Sequence, residues 1–126
     1  MTQILLDTNV VLWLSENNPR IYDIKPFLLS KDTNVFISAV SWWEIAIKIR
    51  TGKLKVNLQE LRTNAVNDDF TELPVTGRYM DAYMELPGLH KDPFDLMLLS
   101  QAISTPMRLI TGDSFLADYS SLVMVI

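Results

Sequence analysis

The sequence predicts an α/β fold with a mainly parallel sheet. Short apolar runs rich in β-branched residues alternate with helical patterns, and the first run, ILL, ends abruptly at Asp7 without alternation. That texture belongs to strands buried on both faces, whose following helices return the chain across the sheet. With 126 residues the chain suits one compact domain, residues 1–126, that buries about two-thirds of its surface.

Residues 4–6 make the first strand, and Thr8 or Asn9 is placed to cap a helix over 10–14 that Asn17, Asn18 and Pro19 end. A second helix is expected over 21–30, interrupted by Pro26, and NVFIS over 34–38 is the second strand. Ser41 starts the next helix in a Ser-Trp-Trp-Glu capping box with Glu44, and Gly52 stops it. A helix follows over 58–66 after Asn57, then a weak strand over 73–75 and a helix over 77–86. Asp92 caps, and Pro93 opens, a helix running to about Thr105 that is apolar on almost every face. Residues 107–111 form a strand, 113–117 a short helix and 122–126 the last strand.

Composition excludes several classes. No cysteine is present, which removes disulfides, thiolate metal sites and a Cys nucleophile. MTQILLDTN has no basic segment and no apolar run nears ~20 residues, so a soluble cytoplasmic protein without signal peptide or membrane span is expected. A net charge of −4 argues against coating nucleic acid by bulk electrostatics. One basic stretch, KIRTGKLK, gathers Lys48, Arg50, Lys53 and Lys55, which either track a phosphate backbone or form a solvated helix end.

Asp7, Glu44, Asp95 and Asp113 each sit at the margin of an apolar run, in ILLDTN, SWWEIAIK, DPFDLMLL and LITGD. In a parallel sheet ligand groups gather beyond the carboxyl ends of the strands, where the next helices begin, and all four have such addresses. A domain of this size has a radius of gyration of roughly 14 Å, so they can meet. Two ionised carboxylates ~5 Å apart repel by roughly 3 kcal/mol at an effective dielectric of about 20, which a cation relieves. All-oxygen ligands favour Mg²⁺ or Mn²⁺ over zinc. Such an ion polarises a phosphate and lowers the pKa of water, which suits phosphodiester hydrolysis.

Each acid also has a plain structural role open to it. Asp7 can close a turn, Glu44 can complete the capping box on Ser41, Asp95 can complement the helix dipole with Asp92, and Asp113 can cap the last helix. His90, the only histidine, cannot act as both acid and base in metal-free RNA cleavage and is read as structural or exposed. Trp42 and Trp43 are adjacent and cannot share a helix face, so one of them faces a partner; with Trp13 they suggest apolar grooves along the N-terminal helices.

ILLDTNVVLW, SAVSWWEIAIKIRTGKL, HKDPFDLMLLSQA and LITGDSFL, in this order over the full chain, resemble the PIN-domain ribonucleases, and most closely the VapC-like toxins of type II toxin-antitoxin pairs. The resemblance implies a three-layer α/β/α sandwich, Mg²⁺ or Mn²⁺ dependence, endonucleolytic RNA cleavage, a homodimer and a cognate antitoxin. It makes Asp7 and Asp95 direct metal ligands and Glu44 and Asp113 ligands either directly or through water, with Asn9 and Thr111 supporting them. Many relatives carry Arg after the Asp of the DPFD string; Leu96 stands here. Two other functions fit less well. A receiver-like phosphoacceptor domain usually has paired acids at the first strand and a Lys on the last, both missing here, and a catalytically silent domain that binds RNA or protein does not need all four acids.

Overall fold

The computed structural model describes residues 2–88 and 92–126; His90 lies outside them. Among the described residues five strands form one all-parallel sheet, β1 (Thr2–Leu6), β2 (Thr33–Ser38), β3 (Thr71–Leu73), β4 (Arg108–Thr111) and β5 (Val123–Val125). Their order is β3-β2-β1-β4-β5. Six α-helices accompany them among the described residues, α1 (Thr8–Ser15), α2 (Lys25–Leu28), α3 (Ala39–Arg50), α4 (Leu58–Asn67), α5 (Tyr79–Glu85) and α6 (Pro93–Ser104).

Successive strand residues point to opposite faces, and both faces are apolar. Ile4, Leu6, Val35, Ile37 and Ile110 pack with Val10 and Val11 of α1, Leu28 of α2, Ile45 of α3 and Leu61 of α4. Leu5 and Leu109 turn the other way, onto Leu98, Leu99 and Ala102 of α6, with Leu86 beyond α5 packed alongside. Two cores back to back make the three-layer α/β/α sandwich, and they explain why ILL shows no polar alternation. Leu96 belongs to the second core at 8% exposure, so an apolar residue after Asp95 suits its surroundings.

Several local expectations need correction. The cap of α1 is Asp7, not Thr8 or Asn9, and the helix begins at Thr8. The expected helix over 21–30 divides into a 3₁₀ turn, Pro19–Ile21, and the four-residue α2, because Pro26 lacks an amide hydrogen and is accommodated only in a first turn. Ser38, not Ser41, caps α3, accepting from the Val40 amide at 3.1 Å. Ser41 is therefore inside the helix and the capping box with Glu44 does not form. β3 lies two residues earlier than expected, at Thr71–Leu73, and α5 starts at Tyr79 rather than Gly77. Asp92 caps α6 with Pro93 in its first turn, and Gly52 follows α3 at φ +77°, a backbone region that costs glycine nothing. Trp42 is buried and Trp43 is 61% exposed, so the two take different faces of α3.

Candidate metal centre

Strand order reverses between β1 and β4, which opens a crevice beyond their carboxyl ends. Register levels those ends. Leu6 pairs with Ile37 on one side and Ile110 on the other, so Asp7, Ser38 and Thr111 follow in one row. The Asp7 amide completes the row by donating to the Ile110 carbonyl at 2.9 Å. Of the seven buried polar side chains among the described residues, five, Asp7, Thr8, Ser38, Ser41 and Thr111, stand at this edge.

Asp7 is the centre of the group and is only 3% exposed. The Thr111 hydroxyl donates to its Oδ2 at 2.6 Å, across the strand reversal, and the Thr8 amide donates to Oδ1 at 2.7 Å. Burial raises the Asp7 carboxyl above its ordinary range, against the lowering effect of these two donors, and the negative charges of Glu44 and Asp113 raise it further. Three of the four acids thus share one electrostatic neighbourhood.

Glu44 lies one turn into α3, and its side chain is 12% exposed. Its Oε2 meets Lys48 Nζ at 3.0 Å, while Oε1 is buried without a hydrogen-bond partner among the described residues. Such an orphaned acceptor is costly unless a cation or donor completes it. The Thr8 hydroxyl donates to Ser41 at 3.0 Å and ties the start of α1 to that of α3.

Asp113 is held by its own turn. Its amide donates to Thr111 Oγ1 at 3.0 Å, and its Oδ1 accepts from the Phe115 amide at 2.9 Å, so it caps the 3₁₀ turn Ser114–Asp118 while facing Asp7 electrostatically. Thr111 passes hydrogen bonds in both directions and links the two acids. Asp95 is half-buried in the first turn of α6. Trp43 and Phe94 meet edge to face, ring centroids 5.3 Å apart, and this contact sets the start of α6 against α3, each ring next in sequence to an acid.

The remaining candidates differ. Asn9 is exposed on α1, and its side chain makes no hydrogen bond among the described residues. Lys48 pairs with Glu44 while its side chain stays 38% exposed, and Arg50, Lys53 and Lys55 are exposed. Arg50 ends a twelve-residue helix, about 9 Å along the axis from Glu44. Sequence reasoning named Thr8 and Ser41 only as helix caps and Ser38 only as a strand end; the signal for Ser38 was its place as the first polar residue after the run VFI.

Among the described residues no three acidic side chains stand close enough to enclose an ion by themselves. A Mg²⁺-like ion does not need that, since it keeps several waters and takes one or two carboxylates. The oxygen-only donor set, the buried carboxyl of Asp7 and the Oε1 of Glu44, unpartnered among the described residues, fit such an ion.

The PIN domain family model matches residues 4–122. The fold is similar to that of VapBC2 from Rickettsia felis, solved bound to a DNA fragment from their promoter, with a TM-score of 0.78 and 20% identity over 99% of this chain and 98% of that one. It is also similar to VapBC-1 from nontypeable Haemophilus influenzae, with a TM-score of 0.68 and 19% identity over 98% of each chain. A toxin-antitoxin complex from Klebsiella pneumoniae aligns with a TM-score of 0.66 and 18% identity over 97% and 96%. No curated protein matches the chain in sequence.

Proposed function

The chain belongs to the PIN-domain family, and from that premise we propose that it is a metal-dependent endoribonuclease acting as the toxin of a toxin-antitoxin pair. The observation that carries the proposal is the buried Asp7 carboxylate, fixed by Thr8 and Thr111 and pressed by the charges of Glu44 and Asp113. Capping α1 needs only one of the Asp7 oxygens, and a carboxyl buried at a strand reversal beside two other acids suits the binding of something positive.

Asp7 and Asp95 would hold Mg²⁺ or Mn²⁺ directly, with Glu44 and Asp113 completing the set directly or through water. A bound ion of this kind supplies Lewis acidity toward a phosphate and lowers the pKa of water. The chain's own residues do the positioning. Thr111 and Thr8 fix both oxygens of Asp7, and Thr111 fixes the backbone of Asp113. Lys48 neutralises one oxygen of Glu44 and leaves the other available.

Similarity to toxin-antitoxin complexes supports an antitoxin partner. A groove of about 350 Å³ among α1, α2 and α4, with Val11, Leu14, Leu29, Leu61 and Phe70 beside Lys25, Asn64 and Asp68, suits a partner segment that mixes apolar and polar side chains. The tryptophans do not form it. Trp13 lies under Arg20, Trp42 is in the core, and Trp43 lines a second apolar hollow of about 510 Å³ with Met80, Tyr83, Phe94 and Met97, suited to a second copy of the chain.

Controlled expression in bacteria tests the assignment. Wild-type protein is expected to arrest growth and leave new RNA ends, an Asp7→Asn variant to do neither, and co-expressed antitoxin to restore growth. Growth arrest that persists in Asp7→Asn would overturn the proposal, and stable labelling of Asp7 by a small phosphodonor would favour a phosphoacceptor instead.

A further inference from the structure

Gly112 separates Thr111 from Asp113, and the space where its side chain would stand is filled by another residue. A Cβ there would lie 2.3 Å from Cη2 and 3.0 Å from Cζ3 of Trp13. The demand for glycine is steric, because Gly112 does not occupy the left-handed backbone region. Trp13 comes from the last turns of α1, the helix that Asp7 caps.

The contact belongs to a closed circuit. Arg20 lies over the Trp13 ring, 4.1 Å from its centroid, and donates from Nη2 to the Ile126 carbonyl at 3.3 Å. The Ile126 amide donates to the Thr111 carbonyl at 2.9 Å. The turn carrying Asp113 is thus gripped on its backbone by Ile126 and on its glycine by Trp13, and Arg20 braces both. Neither Trp13 nor Arg20 is a candidate ligand, yet the circuit closes on Thr111 and Gly112, the segment that leads into Asp113.

We infer that Trp13 is a positioning residue for Asp113. Its indole is the surface on which the Thr111–Asp113 turn rests, and the Arg20 guanidinium holds the ring in place. This rests on the metal-nuclease proposal above. It explains the conjunction of a half-buried tryptophan, a stacked exposed arginine and a glycine of ordinary backbone conformation, none of which the chemistry of the acids uses.

The test compares wild type, Gly112→Ala, Trp13→Phe and the double variant, reading kcat and KM on an RNA oligonucleotide and the Mn²⁺ concentration at half-maximal thermal stabilisation. Because a displacement of about 1 Å in a site costs roughly a hundredfold in rate, Gly112→Ala is expected to lower kcat by about that factor and to raise the Mn²⁺ midpoint, with KM little changed. Phe lacks the outer ring atoms that the new methyl would meet, so adding Trp13→Phe should restore kcat to within about threefold of the Trp13→Phe single variant. If Gly112→Ala does not fold, Trp13→Ala is expected to lower kcat about tenfold at unchanged KM. Wild-type kcat and Mn²⁺ midpoint in Gly112→Ala, or in Trp13→Ala where that variant stands in, or a double variant no better than Gly112→Ala, would overturn the inference. Wild-type protein that fails to cleave RNA would instead sink the nuclease proposal, and the Mn²⁺ midpoints would then decide on Trp13.

Discussion

Replacing Thr111 by Val removes one oxygen and keeps the shape of the side chain. That oxygen donates to Asp7 Oδ2 at 2.6 Å and accepts from the Asp113 amide at 3.0 Å, and Thr111 itself has no exposed surface. A hydrogen bond to a charged group contributes about 1.5–3 kcal/mol, so Thr111→Val should cost about 2–3 kcal/mol at pH 7.5 without metal, or roughly 6–12 °C in Tm for a chain of this size. The cost should depend on pH. Burial raises the Asp7 carboxyl above its unfolded value of 3.8, so the fold favours its neutral form, and the associated stability is present below 3.8 and lost as pH rises through the folded pKa. Thr111 opposes that rise by favouring the charged form. Without it the folded pKa climbs further, and the variant should lose more stability than wild type between pH 4 and pH 7.5. Urea denaturation of both proteins at pH 3.5 and 7.5 measures this. An equal loss at the two pH values, or a loss under about 0.5 kcal/mol at pH 7.5, would refute the claim that Thr111 stabilises an ionised Asp7.

Other outcomes follow from the same geometry. Asp7→Asn should be more stable than wild type at pH 7.5 in EDTA, because it removes a buried charge repelled by Glu44 and Asp113; the gain should vanish near pH 3.8, and added Mn²⁺ should reverse the order. Thermal unfolding across pH, with and without metal, checks both signs. Lys48→Met removes the cation 3.0 Å from Glu44 and should tighten Mn²⁺ binding about tenfold, read from the same thermal-shift midpoints; weaker binding would mean that Lys48 serves to orient Glu44. Leu29→Glu places a charge on the groove of α1, α2 and α4 and should abolish co-elution with the antitoxin without lowering RNA cleavage.

The layered fold was legible because its cause is local. The run ILL and the pair Leu109–Ile110 have no polar alternation, and the structure buries them from both sides. The cap of α6 was legible too, since Asp92 and Pro93 form a signal complete within adjacent residues. Ser41 misled for the opposite reason. Ser-x-x-Glu satisfied the local rule, but Ser38, at the end of β2, was already the cap, and parallel pairing with β1 decided where the strand stopped. Asp7 and Asp113 were visible as acids at strand ends, whereas their link through Thr111 spans 104 residues and depends on the register of β1 and β4. The reason for Gly112 could not be read at all, because Trp13 is its neighbour only once the fold has formed.

The most direct measurement is cleavage of RNA by the purified protein in Mn²⁺, in EDTA, and with Asp7→Asn in Mn²⁺. The account predicts internal cuts in the first reaction and none in the other two. Cleavage that continues in EDTA, or that Asp7→Asn retains in full, would contradict a metal centre built on Asp7.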